Sequence, residues 1–270
     1  MKIKAFQIFC GLVIATLFTS CGEYQKVLNG TDIIAKYKAA ETYYEAGEYR
    51  KAIRLFEQVI PSYRGKPQAE RLIFFFANSY YQNKDYYLAA YQFENFVKSY
   101  PKSQRVQQAN FLAAKSYYHR SPDYSLDQED TFTALEKLQL FLNKYPRSTY
   151  AEEANQLILE LQGKIEQKDF EIAKQYYTIR DFKPAVRAMD NFISEYPGTR
   201  FGEEALYQKF LALYEIATNS FRNVMQPRLE ELKRLYQNIL SKYPETLFIE
   251  DLNKKMETVE ELLRTFEPAT

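Results

Sequence analysis

The feature that most constrains this chain is a tyrosine that recurs at one place in a repeated phrase. Each occurrence lies three residues after a small or apolar residue, and successive occurrences are 37, 37, 59 and 38 residues apart. The five occurrences are Tyr43, Tyr80, Tyr117, Tyr176 and Tyr214. Self-similarity at such periods is typical of stacked helical hairpins, which bury a continuous core and usually present an extended surface to a partner.

A second phrase alternates with the first. It reads FVKSYPKS, FLNKYPRS, FISEYPGT and ILSKYPET, and its prolines are Pro101, Pro146, Pro197 and Pro244. Proline cannot continue a helix, and it biases the residue before it away from helical geometry. Each copy of this phrase therefore predicts the end of the second helix of a hairpin.

Within a repeat, the pattern resembles that of the tetratricopeptide repeat. In the first copy, the small residue Ala40 precedes the aromatic residue, the turn is Gly47-Glu48-Tyr49, and Ala52 precedes Phe56 by four residues. Small residues let two helices approach closely, and aromatic rings fill the gaps between them. The resemblance implies an all-α fold, a right-handed α-solenoid of about five such repeats.

The 59-residue spacing marks a departure from the regular repeat. Its apolar period runs without a breaker from Ala154 to Tyr177, which predicts one helix of about 30 residues, bent near Gly163. A last amphipathic helix over 247–265 is expected to cap the array. We therefore expect repeats one to three over 33–146, and the long linking helix, repeats four and five and the capping helix over 147–270.

The first twenty residues have the composition of an export signal. Lys2 and Lys4 precede a mostly apolar run over 5–19, and Cys21 follows directly after small residues. This arrangement resembles the lipobox of bacterial lipoproteins, which implies cleavage after residue 20, lipidation of Cys21 and a tether over 21–32. The alternative is an ordinary secretory signal with a chance cysteine. Cys10 lies within the signal, so the mature chain could form no internal disulfide.

Charge and reactive residues argue against several classes of function. The chain has 36 basic and 35 acidic residues without a basic stripe, so nucleic acid is not expected as a partner. His119 is the only histidine, which excludes a His/Cys metal cluster and favours a chain without cofactor, small-molecule substrate or catalysis. A rival hypothesis is an envelope hydrolase that uses one of the acidic pairs, which are Glu152-Glu153, Glu203-Glu204, Glu230-Glu231 and Glu260-Glu261. Adjacent residues do not face each other on a helix, so we interpret these pairs as solvated dipole partners.

The second tyrosine of each pair suggests a binding surface. It lies about 100° around the helix from the first, on the face that lines the concave groove in tetratricopeptide proteins. The predicted groove residues are Tyr37, Tyr44, Phe74, Asn78, Tyr81, Phe111, Lys115 and Tyr118. A row of amphipathic rings suits an extended peptide that carries aromatic side chains. The alternative is that these tyrosines only pack against the next repeat.

The loop over 119–130 is rich in Pro, Ser and Asp and is expected to be exposed. Such a loop either has a function or is an insertion without one.

A longer stretch, YPRSTYAEEANQLILELQGKIEQKDFEIAKQYYTIRDFKPAV, resembles the BamD family of outer-membrane assembly lipoproteins. This resemblance covers about 33–245 and implies a lipid-anchored protein on the periplasmic face of the outer membrane. Its partners would be unfolded outer-membrane proteins, bound by the N-terminal repeats, and the periplasmic domains of the barrel subunit BamA. The implied docking residues are Thr199, Arg200, Glu203, Tyr207 and Tyr214. Another lipid-anchored repeat scaffold, one that coordinates cell-wall synthesis or division, remains the alternative.

Overall fold

The computed structural model describes residues 22–266. Within that range, every regular element is a helix, and the all-α repeat fold is confirmed. Cys21 and the predicted signal over 1–20 lie outside the described residues. A short helical segment over 22–29 precedes eleven longer helices.

The helices pair in the order in which they occur in the chain. They are α1 (Ile33–Glu45), α2 (Tyr49–Tyr63), α3 (Ala69–Gln82), α4 (Tyr86–Ser99), α5 (Val106–Arg120), α6 (Glu129–Lys144), α7 (Ala151–Thr178), α8 (Phe182–Glu195), α9 (Gly202–Thr218), α10 (Arg222–Lys242) and α11 (Ile249–Arg264). From α1 to α6, each helix packs on the next, and the same holds from α8 to α11. We call the tyrosine-bearing helix of each repeat its front helix and the following helix its back helix.

The turn between front and back helix has one geometry in three repeats. Gly47, Lys84 and Arg180 occupy the same register position, with φ angles of 75°, 63° and 63°. The residue after each of them donates its backbone N–H to the carbonyl of the first tyrosine, as Glu48 does to Tyr43 at 2.8 Å. Only the first repeat has glycine, the residue that adopts this left-handed backbone without a steric cost.

The chain divides into two compact units. Of the described residues, unit one comprises 22–122 and 126–161, and unit two comprises 123–125 and 162–266. The long helix is present as predicted, with 28 residues from Ala151 to Thr178. The division falls within this helix, next to Gly163, and not at the expected boundary after 146. The reason is that Ala154, Leu157 and Leu161 complete the core of repeat three together with Leu138 and Phe141.

The segment expected to be a tether is folded from residue 22 onward. Its Tyr24 is only 8% exposed, and the Tyr24 ring meets the Tyr43 ring edge-on at 5.3 Å. Val27 and Leu28 also pack against the core of unit one. Residues 22–29 of the predicted tether therefore form a helix, because Tyr24, Val27 and Leu28 share one apolar helical face that packs on this core.

The last helix covers the end of unit two. Leu252, Met256 and Val259 of α11 are buried in a cluster with Leu232 and Ile239 of α10. The three α11 residues are spaced by four and three, so they form one apolar stripe. This is the packing expected of a capping helix.

Candidate functional site

The second tyrosines of repeats one to three link the front helices of these repeats to one another and to the first half of α7. Their partners lie 34, 38 and 42 residues further along the chain. Asn78 Nδ2 donates to Tyr44 Oη at 2.5 Å, and Tyr118 Oη donates to a Glu160 carboxylate oxygen at 2.6 Å. Between them, Tyr81 Oη lies 3.1 Å from His119 Nε2. The three rings are half-buried, so each tyrosine packs between repeats and still presents part of its ring.

The first link is bordered by guanidinium groups. The Tyr44 ring stacks on Phe75 with centroids 4.5 Å apart and an interplanar angle of 12°. Arg71 and Arg105 place their guanidinium carbons 4.9 Å and 5.9 Å from the Phe75 centroid. Arg71 is also paired with Glu41 at 3.1 Å. Cations over the face of an aromatic ring are favourable, and here they add positive charge to an aromatic surface.

The second link gathers a histidine, a lysine and two tyrosines. The imidazole of His119 stacks on Tyr86 with centroids 4.4 Å apart, and Lys115 Nζ pairs with Glu153 at 2.6 Å. Partial burial lowers the pKa of His119, and the nearby Lys115 charge lowers it further. The imidazole is therefore neutral at pH 7, which leaves one ring nitrogen as an acceptor for the Tyr81 hydroxyl. Burial likewise raises the pKa of Tyr81, so this phenol stays protonated.

The third link is a phenol–carboxylate pair. The hydrogen bond to Glu160, assisted by burial, raises the pKa of Tyr118 to about 12. The same bond lowers the pKa of the Glu160 carboxyl, so the two shifts agree on a protonated phenol that donates to an ionised carboxylate.

Two predicted groove residues belong to the core. Phe74 and Phe111 are buried, and Phe111 stacks on Tyr150 with centroids 4.9 Å apart. Because both rings are buried, they are not available to a ligand in this structure. Tyr37 is half-buried, stacks on Tyr63 at 5.1 Å and donates to Glu41.

Residues that sequence reasoning missed include Phe75, Tyr86, Arg105 and Glu160. One signal could have found Arg105. It lies four residues after a repeat-ending proline, where later repeats have Tyr150, Phe201 and Phe248. Each of those rings stacks on a ring of the preceding front helix, whereas Arg105 lies 5.4 Å from the Phe74 centroid. At the position where Tyr150, Phe201 and Phe248 each stack a ring on the preceding front helix, repeat three therefore has the guanidinium of Arg105.

The predicted docking residues form contacts within unit two. Tyr207 stacks on Phe248 with centroids 4.0 Å apart and donates to Asp251 at 2.9 Å, which ties α9 to α11. Burial, followed by that hydrogen bond, raises the pKa of Tyr207. Glu203 accepts the Leu247 backbone N–H at 2.9 Å.

The other three docking residues differ in how much they offer a partner. Thr199 Oγ1 accepts from the Phe201 backbone N–H at 3.0 Å. The Lys255 ammonium lies 4.8 Å from the Tyr214 ring centroid, and the Arg200 guanidinium lies 4.7 Å from that of Phe201. Arg200 is the only exposed member of the docking set.

Residues 22–266 contain no cluster of three or more His, Cys, Asp or Glu residues able to hold a metal ion. Across the same part of the chain, no helix is both long and apolar enough to cross a membrane.

Several members of the acidic pairs have cationic partners. Glu153 pairs with Lys115, and Glu204 pairs with Lys174, both at 2.6 Å.

Comparison with known proteins adds one match. The family model described as YfiO, outer membrane lipoprotein, matches residues 31–180 and 163–270, which together reach from the first repeat to the end of the chain. No curated protein matches the chain significantly. The helical repeats, the long linking helix and this match lead to one assignment: the chain belongs to the YfiO family of outer membrane lipoproteins.

Proposed function

We propose that this chain is a non-catalytic, lipid-anchored scaffold subunit of the machine that assembles β-barrel proteins in the outer membrane. In this proposal, the groove of repeats one to three receives unfolded outer-membrane proteins, and unit two docks on the periplasmic domains of the barrel subunit. The family supports the outer-membrane lipoprotein part. The resemblance to BamD supports the assembly part.

The observation that carries the proposal is the row of half-buried tyrosines with cations beside them. Tyr44, Tyr81 and Tyr118 supply rings at successive repeats, and Arg105 and Lys115 lie next to the row. Rings held in place by packing and hydrogen bonds lose little conformational freedom when a ligand binds. An extended chain with aromatic side chains, such as a β-strand segment before it folds, fits a surface of this kind.

The folded segment over 22–29 bears on how the anchor would act. Its Tyr24 is held against repeat one, so a lipid on Cys21 would lie one residue from folded structure. With this geometry, a lipid at Cys21 holds the first repeat close to the membrane surface. Several acyl chains on one residue give stable anchoring, whereas a single chain gives only marginal binding.

The test is site-specific photo-crosslinking in living cells. A benzophenone amino acid at Tyr81 is expected to capture unfolded outer-membrane proteins. The matched control is the same probe at Tyr87, an exposed tyrosine in the following helix α4, which is expected to capture none.

A second measurement addresses the alternative scaffold. The lipidated chain is purified from detergent-solubilised membranes, and its partners are identified. Recovery of the barrel subunit is expected. Recovery of a cell-wall synthase without the barrel subunit would overturn the proposal in favour of a scaffold for cell-wall synthesis.

A further inference from the structure

A groove of about 620 Å³ lies between α4 and α6, the back helices of repeats two and three. Lys98 lines it on the α4 side, and Lys137 and Lys144 line it on the α6 side. Asn110 of α5 and Asn143 of α6 add two side-chain amides. The groove belongs to unit one, and its two walls are back helices, so it is a different surface from the tyrosine row on the front helices.

The one carboxylate in the lining already has two donors. Glu94 accepts from Lys137 Nζ at 2.7 Å and from Tyr117 Oη at 3.2 Å. The charge of Lys137 is therefore offset within the groove. Lys98 and Lys144 are exposed, and within residues 22–266 neither forms an ion pair. The groove thus retains two ammonium groups that the folded chain does not neutralise.

The positive charge persists when the surroundings are counted. Residues 94–110 and 132–147, which include the walls and their adjoining turns, contain six Lys or Arg and two Glu. Glu70 accepts from Ser103 in one of these turns, and Glu152 lies in the first turn of α7, so including both leaves six basic against four acidic side chains. The carboxylates over 127–130 are at the other end of α6, about 20 Å from Lys144. The helix ends here are the C-termini of α4 and α6 and the N-termini of α5 and α7, so their partial charges offset one another.

The repeat architecture accounts for the carboxylate of the groove but not for its lysines. Glu57 accepts from Tyr80 at 3.0 Å, as Glu94 does from Tyr117, so a carboxylate at this position recurs between repeats. In the same register one repeat earlier, the three lysine positions are occupied by Pro61, Gln92 and Ser99. Packing of one repeat on the next therefore does not require the lysines, which favours a role in binding.

We propose that this lysine groove, defined by Lys98, Lys137, Lys144, Asn110 and Asn143, binds a short, extended, acidic segment of another protein. Lys98 and Lys144 each pair with a carboxylate of the segment, and the two asparagines bond to its backbone. The proposal goes beyond the function proposed above, because it adds a second protein-binding surface and does not depend on what the tyrosine row binds.

The dimensions and the chemistry of the lining select this occupant. From Lys137 to Lys144 the lining covers about 10 Å along the α6 axis, which is the length of about three residues of an extended chain. Asn110 can donate to and accept from a peptide backbone, and Asn143, which accepts from Gln139 at 3.0 Å, has its Nδ2 group as a donor. Leu140, which is 54% exposed, offers an apolar contact. A bare anion would use the lysines but neither the amides nor this leucine.

The experiment measures peptide binding to the full lipidated chain in detergent by fluorescence anisotropy. The probe is a fluorescein-labelled peptide, Gly-Glu-Leu-Glu-Gly with blocked ends, and its control has Gln in place of both Glu residues. The Glu peptide is expected to bind at least tenfold more tightly than the Gln peptide, because only the Glu peptide supplies carboxylates to the ammonium groups. Equal binding of the two peptides overturns the inference.

Two double variants with the same change in net charge locate the binding. Lys98→Gln with Lys144→Gln is expected to weaken binding of the Glu peptide about tenfold, since two exposed charge pairs are lost. Lys26→Gln with Lys38→Gln, which removes two exposed lysines outside the groove, is expected to leave binding unchanged. Circular dichroism checks that both variants are folded. Equal losses in the two variants would mean that the peptide responds to net charge and would overturn the inference.

Competition separates a peptide from other anions. Dihexanoyl phosphatidylglycerol and inorganic phosphate, each at the concentration of unlabelled Glu peptide that displaces half of the probe, are expected to displace little of it. Displacement by the lipid would assign the groove to a headgroup, and displacement by phosphate would make it a site for any anion, so either result overturns the inference. Photo-crosslinking from Tyr81 in the Lys98→Gln, Lys144→Gln variant is expected to be unchanged, which keeps this test separate from that of the proposed function.

Discussion

Repeats one and four place the same tyrosine in different surroundings. Tyr43 is packed against Tyr24, whereas Tyr176 is 38% exposed. Both follow a small residue by three positions and precede a second tyrosine. The difference teaches that the repeat register fixes where the ring is placed along its helix, and that burial depends on which element precedes that helix.

The largest expected effect tests this difference directly. Tyr24→Ala removes the ring that packs on Tyr43 and should lower the free energy of unfolding of unit one by about 2–4 kcal/mol, since the Tyr24 ring is buried among core side chains. Tyr176→Ala should change the free energy of unfolding by less than about 0.5 kcal/mol, as is usual at an exposed site. Urea unfolding followed by circular dichroism measures both. Equal losses of the free energy of unfolding in the two variants would contradict the difference in burial between Tyr24 and Tyr176.

A smaller effect concerns the hydroxyl group alone. Tyr80→Phe removes the hydrogen bond to Glu57 and leaves the buried ring in place. We expect a loss of about 1–2 kcal/mol, because the bond has an ionised acceptor. The matched change, Tyr176→Phe, has no such bond to remove within residues 22–266 and should leave the urea midpoint unaltered. A shifted midpoint for Tyr176→Phe would show that its hydroxyl has an acceptor within the chain.

The turn before the back helix offers a stabilising change in both repeats two and four. Lys84→Gly and Arg180→Gly place glycine at φ angles of 63°, as Gly47 has in repeat one. Each is expected to raise the free energy of unfolding by about 0.5–1 kcal/mol, since a side chain in this conformation is strained. The midpoint of thermal unfolding shows whether each variant is more or less stable than the unsubstituted chain. A decrease in either variant would mean that the side chain contributes more than the backbone strain costs.

The smallest expected effect is a pH dependence confined to unit one. The lowered pKa of His119 means that the unfolded chain binds more protons than the folded chain just below the ordinary histidine pKa. Stability from this residue is full above about pH 6.5 and is lost as pH falls through the folded pKa. His119→Gln should therefore reduce the loss of urea stability between neutral and mildly acidic pH. An unchanged pH profile would mean that the Tyr81–His119 contact does not depend on a neutral ring.

Sequence patterns anticipated most of the fold because the repeat is local. The Ala–aromatic spacing, the turn before Tyr49 and the prolines each act within a few residues, so their consequences appear without knowledge of distant contacts. The 28-residue helix was foreseen for the same reason. For the predicted groove residues, register indicates which face of the helix a side chain occupies but not how deeply that side chain is buried. Phe74 and Phe111 share the register face with the half-buried tyrosine rings and are nevertheless buried.

The sequence by itself determined the helical hairpins, their order and the family, because periodic apolar spacing and proline positions specify helices locally. Only the tertiary structure decided which partner each tyrosine has. Asn78, His119 and Glu160 meet their tyrosines across 34 to 42 residues, and the segment over 22–29 covers Tyr43. Such contacts depend on the distance and angle between packed helices, and side-chain periodicity within one helix carries no information about either.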